Sequence, residues 1–359
     1  MFQILLRRIS NHLPQFLLLF AFPAVLSAID AGMPNPPGHP TVVRVDLFLA
    51  DIINMDELNE SFEIELILAA TWDDPRLAFD SEAEGVGRKI YQGEFQFNEV
   101  FTGWWPQFLI LNEIGSGDTN AIKIEVYPDG AVRYLEQRNV TLETPMSLKR
   151  FPFDEQTLKA YIIAFGDGKR EVILEADENL LSPTDQYSKN NRKVNIAQWD
   201  LKGIHVEAGD VEYRYYGEDQ KVSQLILSVD MKRKSANIIW KVIVPLIILV
   251  SMMWAVFWMN TDDLPDRLNI SFIGILTIVA YQFLIDGNMP RISYFTFTDA
   301  VLLFSFVIMV GTIFQSLIVY NLSKNGRQAI AHRIDVISRC GFPIVYFLVL
   351  LGCYLNYIR

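Results

Sequence analysis

Asp266 and Arg267 stand directly before an 18-residue apolar run, Leu268 to Ile285, and Asp286 stands directly after it. Fixed charges at both ends of a bilayer-length segment are the residue types that attract or repel ions at the mouths of a pore. At about 100° per residue, Asn269, Ile273, Leu276, Ala280 and Phe283 fall within about 40° of one direction on a helix, a mostly apolar face. Periodicity alone suits a buried helix with no pore equally well. Enzymatic chemistry lacks its residues. His12, His39, His205 and His332 are scattered along the chain, so neither a metal cluster nor a His-assisted nucleophile is expected, and no cofactor.

The run is one of four in the last third of the chain, at about 238–259, 268–285, 300–322 and 340–358. Each is long enough to cross a hydrocarbon core of about 30 Å. The third connection holds Lys324, Arg327, Arg333 and Arg339 over about a dozen and a half residues, whereas the second holds Asp286, Arg291 and Asp299. Basic loops stay inside, which puts the second connection and the region before the first run on the outer face. Lys241 can snorkel to the outer interface, and Pro245 is expected to kink the first helix.

Residues 1–28 have the layout of a secretory signal peptide, with Arg7 and Arg8 ahead of an apolar core and Ser27-Ala28 behind it. A retained anchor is the alternative; Pro14 and Pro23 break the core and favour cleavage. Residues 29–40 read as a linker. From Thr41 to Ser235 there are 35 acidic and 21 basic residues, a balance that makes nucleic acid an unfavourable partner. The two cysteines, Cys340 and Cys353, lie in the last apolar run, so the exported domain folds without disulfides.

That domain, residues 41–235, is written in period two. Phe62, Ile64, Leu66 and Leu68 alternate with Glu63, Glu65 and Ile67, and similar alternation recurs at 43–48, 122–127 and 225–229. Tyr127-Pro128-Asp129-Gly130 links two runs as a hairpin. Many short strands with no helical interludes predict a β-sandwich, ahead of a four-helix membrane domain at 236–359.

Phe151-Pro152-Phe153-Asp154, Trp104-Trp105-Pro106, the Pro128-Asp129-Gly130 turn, and Arg233 twelve residues before Pro245 occur together here. On these motifs the chain resembles the pentameric ligand-gated ion channels, the Cys-loop or pro-loop receptors, from about Thr41 to its C-terminus. Thr144 and Leu158 stand where that family carries its eponymous disulfide, as in prokaryotic members. Trp72, Leu77-Ala78-Phe79-Asp80 and Gln156-Thr157-Leu158 carry a likeness to the prokaryotic proton-gated type.

The resemblance implies an extracellular (periplasmic) Ig-like β-sandwich on a four-helix transmembrane bundle. The assembly implied is a homopentamer among the lipids of a bacterial inner membrane. The second run then lines a central pore through Asn269, Ile273, Leu276, Ala280 and Phe283, with five copies of Leu276 as a dewetting constriction. Asp266 becomes the selectivity residue, favouring monovalent cations, although Pro265 and Arg267 match the Pro-Ala-Arg of the family's anion channels. Asp154 and Arg233 are expected to pair where sandwich meets membrane, with Asp56 or Glu57 as third member and Pro290 and Tyr294 receiving the push. An interfacial basic cluster of Lys232, Arg233 and Lys234 on lipid headgroups is the other reading.

For the stimulus, the resemblance points to Phe165, Tyr213, Tyr215 and Tyr216, or to protons. Ile163 stands where relatives that bind primary amines carry Glu, which disfavours that agonist class. Glu60 matches a sensing carboxylate of the proton-gated relatives, and a crowded acidic surface moves carboxylate titration towards mild acid. The expected function is a ligand- or pH-gated channel; a membrane-anchored receptor that conducts nothing is the alternative.

Overall fold

The computed structural model describes residues 32–35, 39–177, 197–212, 221–286 and 294–358. Ten strands are described: β1 (Thr41–Asp56), β2 (Ser61–Asp73), β3 (Lys89–Gln92), β4 (Phe108–Ile110), β5 (Asp118–Val126), β6 (Ala131–Glu143), β7 (Glu155–Ala164), β8 (Val172–Ala176), β9 (Trp199–Glu212) and β10 (Lys221–Arg233). They form a six-stranded sheet, β3-β5-β6-β2-β1-β8, and a four-stranded sheet, β4-β7-β10-β9. Pairing is antiparallel except for β1 with β8.

The period-two pattern dictates the layers. Val43, Val45, Leu47 and Leu49 of β1 and Phe62, Ile64, Leu66 and Leu68 of β2 point inward, against Leu158, Ile162, Leu225, Leu227 and Val229 of the other sheet. The Pro128-Asp129-Gly130 turn is pinned by backbone bonds from Asp74 N–H to the Gly130 carbonyl (2.9 Å) and from Phe79 N–H to the Pro128 carbonyl (3.1 Å). Gly130 sits at φ 88°, and a Cβ there would lie 2.6 Å from the Asp74 carbonyl oxygen, so only glycine fits.

The expectation of no helical interludes fails between β2 and β4, where short turns occupy Pro75–Leu77, Ser81–Glu84, Gly93–Phe95 and Gln96–Val100. Local capping overrides alternation there: the Asp80 side chain accepts from the Glu82 and Ala83 amides.

Four long helices follow: α1 (Ala236–Trp258), α2 (Leu264–Asp286), α3 (Phe297–Lys324) and α4 (Gln328–Ile358). All four are long and apolar enough to cross a membrane. They exceed the apolar runs read from sequence, so the third connection is residues 325–327, not a dozen and a half. Arg333 and Arg339 belong to α4. Hydropathy missed the first turns of α4 because their buried stripe is Ala331, Asp335 and Ser338, helically spaced but mostly polar. In α1 a π-turn, Ile239–Ile243, comes just before Pro245, the adjustment a helix makes around an imino acid.

Candidate functional site at the domain junction and along α2

Arg233 ends β10 where the sandwich meets the helices, and its amide donates to the Asp154 carbonyl (3.2 Å). Its guanidinium grips the Asp154 carboxylate twice, Nε to Oδ1 at 2.7 Å and Nη2 to Oδ2 at 3.2 Å. The remaining arm, Nη1, lies 3.0 Å from Glu57 Oε1. The guanidinium carbon is 4.2 Å from the Trp199 ring centroid and 5.0 Å from that of Phe151, so the cation is seated on aromatic faces. Arg233 is not on the surface with its neighbours: its side chain is 3% exposed, and that of Asp154 is 1%.

Of the two carboxylates left open by the sequence, Glu57 is the third member. Asp56 instead closes the β1–β2 turn, accepting from the amides of Leu58 and Asn59 and from Asn59 Nδ2. The bonds from Asn59 hold its carboxyl below the ordinary value. Glu60 follows in the same turn, at φ 50°, and its carbonyl accepts from the Thr144 amide (2.8 Å).

The 144–154 loop carries Asp154 and rests on the helices. Gln156 braces it by exchanging bonds with the Ser147 backbone (3.0 and 2.9 Å) while donating to Asp154 Oδ2 at 2.8 Å. The Leu148 amide donates to the Tyr294 hydroxyl (2.9 Å), the Phe297 amide to the Lys149 carbonyl (3.1 Å), and Thr298 Oγ1 to the Phe151 carbonyl (3.1 Å). The Phe153 ring meets those of Phe297 and Tyr354 edge-on, 5.6 and 5.9 Å between centroids. Sequence reasoning missed Trp199, Gln156, Thr298 and these two aromatic partners. One signal was readable: Thr296-x-x-Asp299 is a capping box, and both of its reciprocal bonds form. Pro290 lies outside the described residues.

Along α2, Arg267, Ser271, Gly274, Ile278 and Ile285 are buried against the other helices. At about 100° per residue these share one face, and Asn269, Ile273, Leu276, Ala280 and Phe283 centre on the opposite one, about 170° away. All five are exposed, Leu276 at 71%. Gly274 makes room for the Met253 side chain of α1: a Cβ there would collide with Met253 Sδ. The Tyr281 hydroxyl donates to the carbonyls of Lys241 (3.0 Å) and Val242 (2.9 Å); the first is the acceptor that Pro245, with no N–H, cannot serve. At the start of α2 the two adjacent charges part. Asp266 is exposed, while Arg267 is fully buried and its Nη2 reaches Asp335 Oδ2 at 2.6 Å.

Phe165 is exposed just beyond β7, its amide donating to the Gln107 carbonyl (2.7 Å). Tyr213, Tyr215 and Tyr216 lie outside the described residues. Two positions from Phe165, Asp167 has its carboxyl pushed up to about 6 by burial and by the nearby Glu171 carboxylate.

A β-sandwich seated through a buried ion pair and an aromatic loop on four membrane-length helices defines a membrane receptor of the channel type. The neurotransmitter-gated ion-channel ligand binding domain matches residues 31–235, and the neurotransmitter-gated ion-channel transmembrane region matches residues 242–334. The chain belongs to the neurotransmitter-gated ion-channel family, whose members are ligand-gated ion channels and not enzymes.

Among its relatives is a proton-gated ion channel of Gloeobacter violaceus, 26% identical over 89% of this chain and 84% of the relative. A glutamate-gated chloride channel of Drosophila melanogaster is 24% identical over 81% of this chain, which spans 61% of that relative. The theta subunit of the mouse gamma-aminobutyric acid receptor is 25% identical over 75% of this chain, which spans 40% of it. The protein is a membrane protein with an extracellular ligand-binding domain and four transmembrane helices.

Proposed function

We propose that the chain is one subunit of a homopentameric, cation-selective channel of a bacterial inner membrane, opened by protons or a small molecule at the extracellular domain. Residues 1–28 are removed as a signal peptide, 29–40 link, 41–235 sense, and 236–359 conduct. The observation carrying this reading is the exposure of all five of Asn269, Ile273, Leu276, Ala280 and Phe283 on the face of α2 turned away from its own bundle. Apolar side chains on that face are placed to line a lumen shared by five copies, with Leu276 as constriction. Exposure of Asp266 beside the fully buried Arg267 supports cation preference, since the carboxylate is the charge presented at the inner mouth.

Arg233, Asp154 and Glu57, with Tyr294 under the loop, transmit the stimulus from sandwich to helices. The proton-gated relative motivates pH as stimulus, with Glu60 or Asp167 as sensor; Phe165 and the tyrosines at 213, 215 and 216 form the site for a small molecule. Reversal potentials of purified protein in a planar bilayer under a sodium chloride gradient test the reading. Current steps reversing near the sodium equilibrium potential are expected, with Asp266→Asn shifted towards chloride. Absence of steps under any stimulus leaves a non-conducting receptor, and a reversal near chloride in wild type removes Asp266 as filter.

A further inference from the structure

We propose that Asp335, on α4, is a specificity-determining positioning residue: it holds the Arg267 guanidinium inside the helix bundle, so that the inner mouth presents Asp266 and not its cationic neighbour. This rests on the reading that the exposed face of α2 lines the lumen. The stretch Met259–Leu268 carries Asp262, Asp263, Asp266 and Arg267, so Arg267 is the one cation of that stretch, next in sequence to the selectivity carboxylate. At about 100° per residue Asp266 lies about 60° from the centre of the lumen face and Arg267 about 160° from it. Direction alone does not hide a charge on a long flexible stem, which can snorkel around a helix to water.

The side chain is kept in by its partners. Arg267 Nη2 donates to Asp335 Oδ2 (2.6 Å) and to the Met259 carbonyl (3.2 Å), and the other Asp335 oxygen accepts from Gln315 Nε2 (2.7 Å). Arg267 Nε and Nη1 and Gln315 Oε1 are buried without hydrogen-bond partners among the described residues. The guanidinium is therefore only partly satisfied in its seat, and attraction to one carboxylate, 68 residues away in sequence, retains it. With that carboxylate neutralised, the seat holds a cation with no counter-charge, the most costly state for a buried group. The nearest water in the proposed pore is the lumen beside Asp266, where five arginines cancel five aspartates. Residue 335, which faces no ion, thereby sets the sign of the ring.

Reversal potentials under a sodium chloride gradient, recorded for wild type, Asp335→Asn and the pair Arg267→Gln with Asp335→Asn, test this. Asp335→Asn is expected to shift the reversal potential towards chloride. The double variant is expected at the wild-type value, because the charge it deletes was already outside the lumen. A single variant reversing with wild type, or a double variant more cation-selective than wild type, overturns the proposal. If the single variant does not assemble, the double variant decides, since it puts neutral side chains of similar shape in the buried seat. The wild-type reversal potential reports cation preference separately; the shift between proteins reports Asp335 whichever sign wild type has.

Discussion

Asp154→Asn and Glu57→Gln each remove one carboxylate from the same guanidinium, and burial predicts unequal outcomes. The Asp154 side chain is 1% exposed and the Glu57 side chain 25%, against 3% for Arg233. Breaking a buried pair by removing one partner costs roughly 3–5 kcal/mol, whereas a partly solvated pair contributes roughly 0–1 kcal/mol. Asn keeps an oxygen for Arg233 Nε, which places Asp154→Asn near the lower bound, about 3 kcal/mol. That corresponds to about two decades in an equilibrium constant, and Glu57→Gln to under one. If the pair exists in one gating state only, the energy appears as a shift in half-maximal stimulus; if in both, as loss of assembled pentamer on heating. Both are measured, by current recordings and by size-exclusion chromatography after heat treatment. Asp154→Asn falling no further from wild type than Glu57→Gln in either measurement would refute the weighting by burial and with it the central place of this pair.

Three other outcomes are expected, beside the selectivity shift of Asp266→Asn. Leu276→Ser should lower the stimulus needed for opening, because hydroxyls at the constriction let water wet a closed gate; a greater stimulus requirement in a normally assembled mutant moves the gate elsewhere, for instance to Phe283. Gly274→Ala should destabilise by about 1–3 kcal/mol, since its Cβ collides with Met253, packed at 5% exposure; combined with Met253→Ala it should cost less than the two single losses added together, and strictly additive losses contradict the contact. Asp167 has a folded value of about 6 against an ordinary 3.8, so the folded state holds a proton that the unfolded state lacks between those values, and stability falls as pH rises through that window. Asp167→Asn should therefore melt above wild type at pH 7 with the difference closing towards about pH 4; a constant difference shows that titration is not the cause.

The sandwich and the membrane helices were legible in the sequence because their signals are local. Alternation along Phe62–Leu68 places one face of β2 inward whatever its partners, and the apolar runs span a bilayer by length alone. That Asn269, Ile273, Leu276, Ala280 and Phe283 share one face of α2 followed from 100° periodicity, and they are exposed together; the family motifs marked Asp154 and Arg233. Choices between neighbouring residues were not legible. Asp56 and Glu57 are chemically interchangeable in a list, and only the turn that Asp56 closes on Asn59 frees Glu57 to meet Arg233. By hydropathy the polar first turns of α4 are indistinguishable from a loop, because hydropathy does not register a buried stripe containing Asp335 and Ser338. Hence the adjacent charges Asp266 and Arg267 could be weighed in sequence but not separated. Tertiary structure decided that one faces water and the other the bundle, because the carboxylate that retains Arg267 comes from another helix, 68 residues on.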